Sequence, residues 1–246
     1  MASLVAACVY GNVEGVVDAI ESGVDTNQQF TEEGNTPLIL AVWHRHPEIV
    51  KKLVANKADV NLTNHYNTTP LMLAILGGCE EIVKILLAYG ADPNQASLSG
   101  TPLMKAIQSG SPKSVELLLE YGADLDQRGH YKNRSPMWAA IEGGHTEIVK
   151  ILLTKTTNIN HVNKAGNTPL IFATGCGRTE IVKILLAHNA NALQVNKKGY
   201  HSLTMARKTS NKKIEHIIRE HLCKWLANTG LGVMPRDVLM EITNYL

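Results

Sequence analysis

Aromatic side chains are scarce in this sequence: two Phe, seven Tyr and three Trp make up 5% of 246 residues. So few rings cannot dominate a core, and a place where several gather needs its own reason. Cysteine is scarcer still. Cys8, Cys79, Cys176 and Cys223 lie far apart with no CxxC pair, which argues against a disulfide framework or a zinc knuckle and fits a reducing compartment. Three of the four are expected inside helices. No apolar run approaches the ~20 residues a membrane span requires. The opening MASLVAACVYGNVEG has no basic n-region and turns polar too early for a signal peptide. Cytoplasmic residence is the expectation. An excess of one charge is also missing, since 24 basic and 22 acidic residues leave a net charge of +2. Neither nucleic acid nor membrane is therefore expected as a partner. The charge is unevenly spread, however: residues 1–196 carry 15 basic and 18 acidic side chains, residues 197–224 carry 8 and 2. The basic stretch, with Lys197, Lys198, Lys212 and Lys213, reads as the hydrophilic outer face of a terminal element.

Catalytic signatures are absent as well. GxxxxGK[ST], GxSxG, HExxH and GxGxxG do not occur. Ten histidines are present, but His44 and His46 have no acidic or Cys partner at ligand spacing. Cys176 and His188 would need a third group to orient the base, and none is in place. The glycines of Gly77-Gly78-Cys79 and Gly175-Cys176-Gly177 fall where a helix ends and serve a turn. The expectation is a protein with no catalytic residue, no metal and no cofactor.

What the sequence has is repetition. TPLILA begins at Thr36, TPLMLA at Thr69, TPLMKA at Thr101, SPMWAA at Ser135, TPLIFA at Thr168 and a worn HSLTMA at His201. The offsets are 33, 32, 34, 33 and 33, and an earlier row from Ala2 keeps Leu4 and Ala7 without the Pro. Each row explains itself. The Thr hydroxyl caps a short helix, and Pro at the next position has no N–H to leave unsatisfied. A small residue, Ala41, Ala74, Ala106, Ala140 or Ala173, admits a second helix at close range. That helix reads EIVKKLV from Glu48, EIVKILL from Glu81, Glu147 and Glu180, and KSVELLL from Lys113. Its apolar stripe is wide enough to need neighbours on both sides. It should end on a left-handed residue, supplied by Gly23, Gly90, Gly122 and Asn189, with Lys57 and Thr156 at the strained places.

Period and motif together resemble the ankyrin repeat. The resemblance covers about residues 2–222 and implies an all-α solenoid of about seven helix-turn-helix repeats with β-hairpin fingers. It also implies a concave face, lined by finger tips and first helices, that binds another protein. Transferred row by row, that face holds Phe30, Leu40, Trp43 and His44, then Tyr66, Leu73 and Leu76, then Leu98, Lys105, Gln108 and Ser109, then Tyr131, Ala139 and Glu142, and finally Phe172 and Cys176. Trp43, Tyr66 and the leucines around them concentrate apolar surface in the N-terminal half, as an interface hot spot does. Trp138 stands where many ankyrin rows carry His and reads as packing. A monomer is expected.

Residues 223–246 leave the repeat pattern. VMPRDVLMEITNYL resembles the first helix of an F-box, Leu-Pro-x-Glu-[Val/Ile/Leu]-Leu-x-x-Ile-x-x-Tyr-Leu. Met234 and Asp237 stand in for Leu and Glu, while Pro235, Val238, Leu239, Ile242, Tyr245 and Leu246 match. Only the first part of that three-helix module is matched. The same order, repeats and then a truncated F-box, resembles ankyrin proteins of poxviruses and some intracellular bacteria. It implies that Pro235, Val238, Leu239, Ile242, Tyr245 and Leu246 contact the Skp adaptor of a cullin–RING ubiquitin ligase. The other reading makes the tail a cap and the protein a plain scaffold or competitive inhibitor.

Overall fold

The computed structural model describes residues 2–98, 100–125, 135–156 and 158–229. These residues form fourteen helices. The first eight are α1 (Ala2–Tyr10), α2 (Val13–Glu21), α3 (Pro37–Trp43), α4 (Pro47–Ala55), α5 (Pro70–Leu76), α6 (Glu80–Ala88), α7 (Pro102–Gln108) and α8 (Pro112–Glu120). The rest are α9 (Pro136–Gly143), α10 (Thr146–Lys155), α11 (Pro169–Gly175), α12 (Thr179–Ala187), α13 (Ser202–Lys208) and α14 (Lys212–Thr229). Two compact units divide the chain, Met1–Ala139 and Ala140–Leu246. Within the first, α1 pairs with α2, α3 with α4, α5 with α6 and α7 with α8. The odd-numbered helices stack as one row and the even-numbered as another. Within the second, α11 pairs with α12 and α13 with α14; α11 stacks on α13, and α12 on both α10 and α14.

Most of these helices have seven to ten residues, too few to be stable alone in water. Their starts are fixed by side chains. The hydroxyls of Thr36, Thr69, Thr101 and Thr168 each accept the N–H three residues on, at 3.2 Å, and each cap is worth about 1 kcal/mol. Burial supplies the rest. Leu53, Ile75, Leu86 and Leu118 are fully buried in the first unit, as are Ile148, Leu185 and Leu203 in the second. Ala41, Ala74, Ala106, Ala140 and Ala173 are at most 1% exposed, so a larger side chain there would force the paired helices apart.

Among the described residues the fingers are tight turns rather than paired strands. Two backbone bonds close each of them, as from Asn64 N–H to Thr68 O at 3.3 Å with Asn67 N–H to Asn64 O at 2.9 Å, and from Asn163 N–H to Asn167 O at 3.1 Å with Gly166 N–H to Asn163 O at 2.8 Å. The one β-bridge among the described residues joins Ser97 and Gly100. A side-chain ladder links successive rows. Asn27, Asn61 and Asn94 Oδ1 accept the N–H of Asp59, Asp92 and Asp124 at 2.7, 2.8 and 2.8 Å.

Left-handed residues follow the expectation at Gly23, Lys57, Gly90, Gly122 and Asn189, with φ of 77°, 66°, 89°, 86° and 61°. Thr156 departs from it, with φ −89° and ψ 138°. Its branched Cβ is excluded from the left-handed region, so α10 runs on through Lys155 and Thr156 turns extended. A second left-handed site lies between the paired helices, in the turn that Gly78 and Gly177 were expected to serve. Gly78 and Gly110 occupy it at 66° and 68°, but Arg45 and Ser210 occupy it at 60° and 53°. Replacing Lys57 by Gly should therefore raise stability by about 1 kcal/mol. The same change at Thr156 should give no gain, and urea melts of the two variants check the contrast.

Of the cysteines, Cys8 and Cys223 lie in helices, whereas Cys79 caps the start of α6 and Cys176 the end of α11, so two rather than three are helical. Burial pushes the Cys8 thiol up to about 12, leaving it protonated and inert.

Candidate target-binding groove

Helix α3 buries Leu38, Ile39, Ala41 and Val42, and its spacing places Leu40, Trp43 and His44 together on another face. Leu40 is 8% exposed and Trp43 66%. Leu73 on α5 is half-buried, and Tyr66, on the finger before it, is 64% exposed. Between them lies a cavity of about 470 Å³ lined by Leu40, Trp43, His44, Tyr66 and Leu73 with Ile39, Thr31, Glu33, Asn35, Asn64 and Thr68. Leu40, Ile39 and Leu73 form an apolar floor, and Trp43 and Tyr66 stand at the margin as exposed rings.

The margin is held still by hydrogen bonds. Asn64 Oδ1 accepts the N–H of Tyr66 and of Thr68, both at 3.1 Å, which fixes the loop carrying the Tyr66 ring. Asn64 Nδ2 donates to Asn35 Oδ1 at 3.1 Å, and His65 N–H donates to Glu33 O at 2.9 Å. The His65 ring meets Glu32 O through Nδ1 at 3.0 Å. Adjacent fingers are thereby tied through backbone and side chain. A ring presented on a fixed loop loses little freedom when it is covered.

The groove is acidic at one edge. The Thr31 hydroxyl first, then the backbone at Glu33 and the charge of nearby His65, hold the Glu33 carboxyl below the usual range. It stays ionised throughout neutral pH.

Several expected face residues lie outside this cavity. Leu76 and Leu98 are 56% and 76% exposed in the same unit. Phe30 and Lys105 are half-buried and Gln108 exposed there. Glu142 is exposed in the second unit, where its carbonyl accepts a hydrogen bond from the Arg178 guanidinium. Tyr131 lies outside the described residues, as do Pro235, Val238, Leu239, Ile242, Tyr245 and Leu246. Trp138 is 7% exposed, in keeping with its reading as packing. The polar lining, Thr31, Glu33, Asn35, Asn64 and Thr68, was not among the expected residues. The Asn recurring at Asn64, Asn163 and Asn196 was its one available signal.

Two histidines near the groove, His46 and His65, bond to neighbouring rows. His46 and His44 stack with ring centroids 6.4 Å apart, and His46 Nε2 meets Val9 O at 3.1 Å, which ties the first row to the second. In the second unit His188 Nδ1 meets Ile184 O at 2.9 Å.

Comparison with known proteins agrees with this geometry. A family model described as ankyrin repeats (3 copies) matches residues 3–97, 47–129, 96–163 and 136–231. The crystal structure of the ankyrin repeat domain of Bcl-3, a member of the IkappaB protein family, is similar, with 27% identity and a TM-score of 0.76 over 88% of this chain and 97% of that one. The ankyrin repeat domain of human ASB11 is similar at 32% identity and a TM-score of 0.64, over 76% and 84% of the two chains. No curated protein sequence matches.

Proposed function

The chain belongs to the ankyrin-repeat family, and on that footing we propose that it captures a target protein in the groove of the first unit and delivers it to a cullin–RING ubiquitin ligase. Ankyrin-repeat domains are protein-interaction scaffolds whose stacked repeats offer extended binding surfaces. The observation that carries the capture is the pair of rings, Trp43 and Tyr66, left two-thirds exposed beside an apolar floor. Rigid exposed aromatics around an apolar pocket are the composition of an interface hot spot.

The delivery step is supported by the sequence of residues 234–246 alone. In a helix begun at Pro235, Val238, Leu239, Ile242 and Leu246 make an apolar stripe with Tyr245 at its edge. Such a stripe suits a groove on a Skp-type adaptor in the helix-in-groove manner. Residues 223–246 are then the adaptor-recruiting part, although α14 carries the helix of the last repeat through to Thr229. Cytoplasmic residence goes with this reading.

Titration calorimetry of purified adaptor against the intact chain tests the delivery step. The expected result is saturable binding that disappears in the Leu239→Ala/Ile242→Ala variant while its melting temperature holds. No heat from the native chain at high micromolar adaptor, or a double variant that only melts earlier, assigns the tail to capping. The protein is then a scaffold or competitive inhibitor.

A further inference from the structure

Between Thr156 and Ile214 the chain carries nine basic residues and one carboxylate, Glu180, and Glu180 is bound by Lys183 at 2.9 Å. The turns leading into the fingers keep one shape with or without a carboxylate. In the first unit these turns are built on carboxylates. Asp25, Asp59 and Asp92 accept the N–H of Asn27, Asn61 and Asn94 at 2.9, 2.8 and 2.8 Å. In the second unit an amide does the same work: Asn158 accepts from Asn160 at 3.0 Å and Asn191 from Leu193 at 2.9 Å. An amide oxygen keeps the hydrogen bond and discards the charge.

The finger tips of the second unit are basic. Where the first unit has Glu32 and Glu33, then His65 and Tyr66, the second has Lys164 and Ala165, then Lys197 and Lys198. The two tips are held side by side, with Lys197 N–H donating to Ala165 O at 3.2 Å and Asn196 Nδ2 to Asn167 Oδ1 at 2.7 Å. Lys164, Lys197 and Lys198 are all exposed, and none enters an ion pair among the described residues. Val162 and Val195, each within two or three residues of a tip lysine, are 51% and 54% exposed. Solubility is served by charge of either sign, as Glu32 and Glu33 show, and does not account for Asn in place of Asp at both turns.

We propose that these two locked fingers form a cationic ledge that docks an acidic segment of a partner polypeptide. Its carboxylates meet Lys164, Lys197 and Lys198, and aliphatic side chains between them cover Val162 and Val195. A polypeptide fits better than a nucleic-acid strand. Stacking of bases needs a free ring, and the ring at the ledge, Tyr200, already has the Lys208 ammonium 4.4 Å from its centroid. Exposed valines offer nothing to a phosphate backbone, whereas the aliphatic side chains of a polypeptide can cover them.

Fluorescence anisotropy on the full chain tests the ledge with a labelled peptide of alternating Glu and Val. The controls are the same peptide with Gln for Glu and a single-stranded oligothymidine of equal charge. The expected result is saturable binding of the acidic peptide, weakening as salt screens the lysines, with the Gln peptide bound far less. The charge-reversed K164E/K197E/K198E variant should bind roughly tenfold or more weakly with unaltered circular dichroism and melting. K164Q/K197Q/K198Q should show a smaller loss in the same direction. Trp43→Ala should leave this binding unchanged. Equal binding of the Gln peptide, tighter binding of the oligonucleotide, undiminished binding by both lysine variants, or no binding at low salt would each overturn the proposal.

Discussion

Replacing Leu86 with Ala should lower the unfolding free energy of the protein by about 2–5 kcal/mol. Leu86 is fully buried on α6, which pairs with α5 and lies in a row between α4 and α8. Its side chain fills the space between a repeat and its neighbours rather than the centre of a globule. Truncation removes the transfer free energy of the lost carbons and leaves a cavity that backbones braced on several sides cannot close. The effect spreads further than in a compact domain, because a nine-residue helix cannot persist alone and each repeat is stable through its interfaces. Urea unfolding followed by circular dichroism should show the earliest transition moving to lower denaturant. A loss below about 1 kcal/mol would mean that the neighbouring helices close over the gap, contrary to the close packing of protein interiors.

The second large effect concerns binding. Changing Trp43 and Tyr66 together to Ala should weaken capture of the target by at least ~2 kcal/mol while stability stays within ~0.5 kcal/mol of wild type. Both rings are about two-thirds exposed, so neither contributes much buried area to the folded chain. In a complex the same rings would be covered, with Leu40 and Leu73 beneath them. Calorimetric titration of the isolated target against both chains, with thermal melts alongside, separates binding from folding. A double variant that unfolds assigns the rings to packing. One that binds as well as wild type moves the contact surface away from this groove.

The rows were legible in the sequence because each rests on local chemistry: a Thr cap, a Pro at the first helical position, a small residue at the helix contact. Those features recur in the structure with the same hydrogen bond each time. The failures were also local. At the end of the second helix Lys57 accepts a left-handed backbone and Thr156 does not, because branching at Cβ, not helix position, decides between them. Arg45 and Ser210 adopt the left-handed turn between paired helices, where neighbouring rows have Gly and nothing in either residue's chemistry announces it. Leu40, Trp43, His44, Tyr66 and Leu73 were read as one face and do line one cavity. The polar margin, Asn35 and Asn64 above all, was missed because its role depends on two fingers meeting across 29 residues of sequence. Periodicity within one row cannot show that meeting.

Hydrogen–deuterium exchange of the chain, with and without its purified target, tests most directly whether the first-unit groove is the place of capture. Slowed exchange should be concentrated in residues 30–44 and 64–76, the fingers and first helices around Trp43 and Tyr66, with α4 and α6 little changed. Protection confined to α4, α6 or the second unit, with residues 30–44 and 64–76 exchanging as in the free chain, would contradict it.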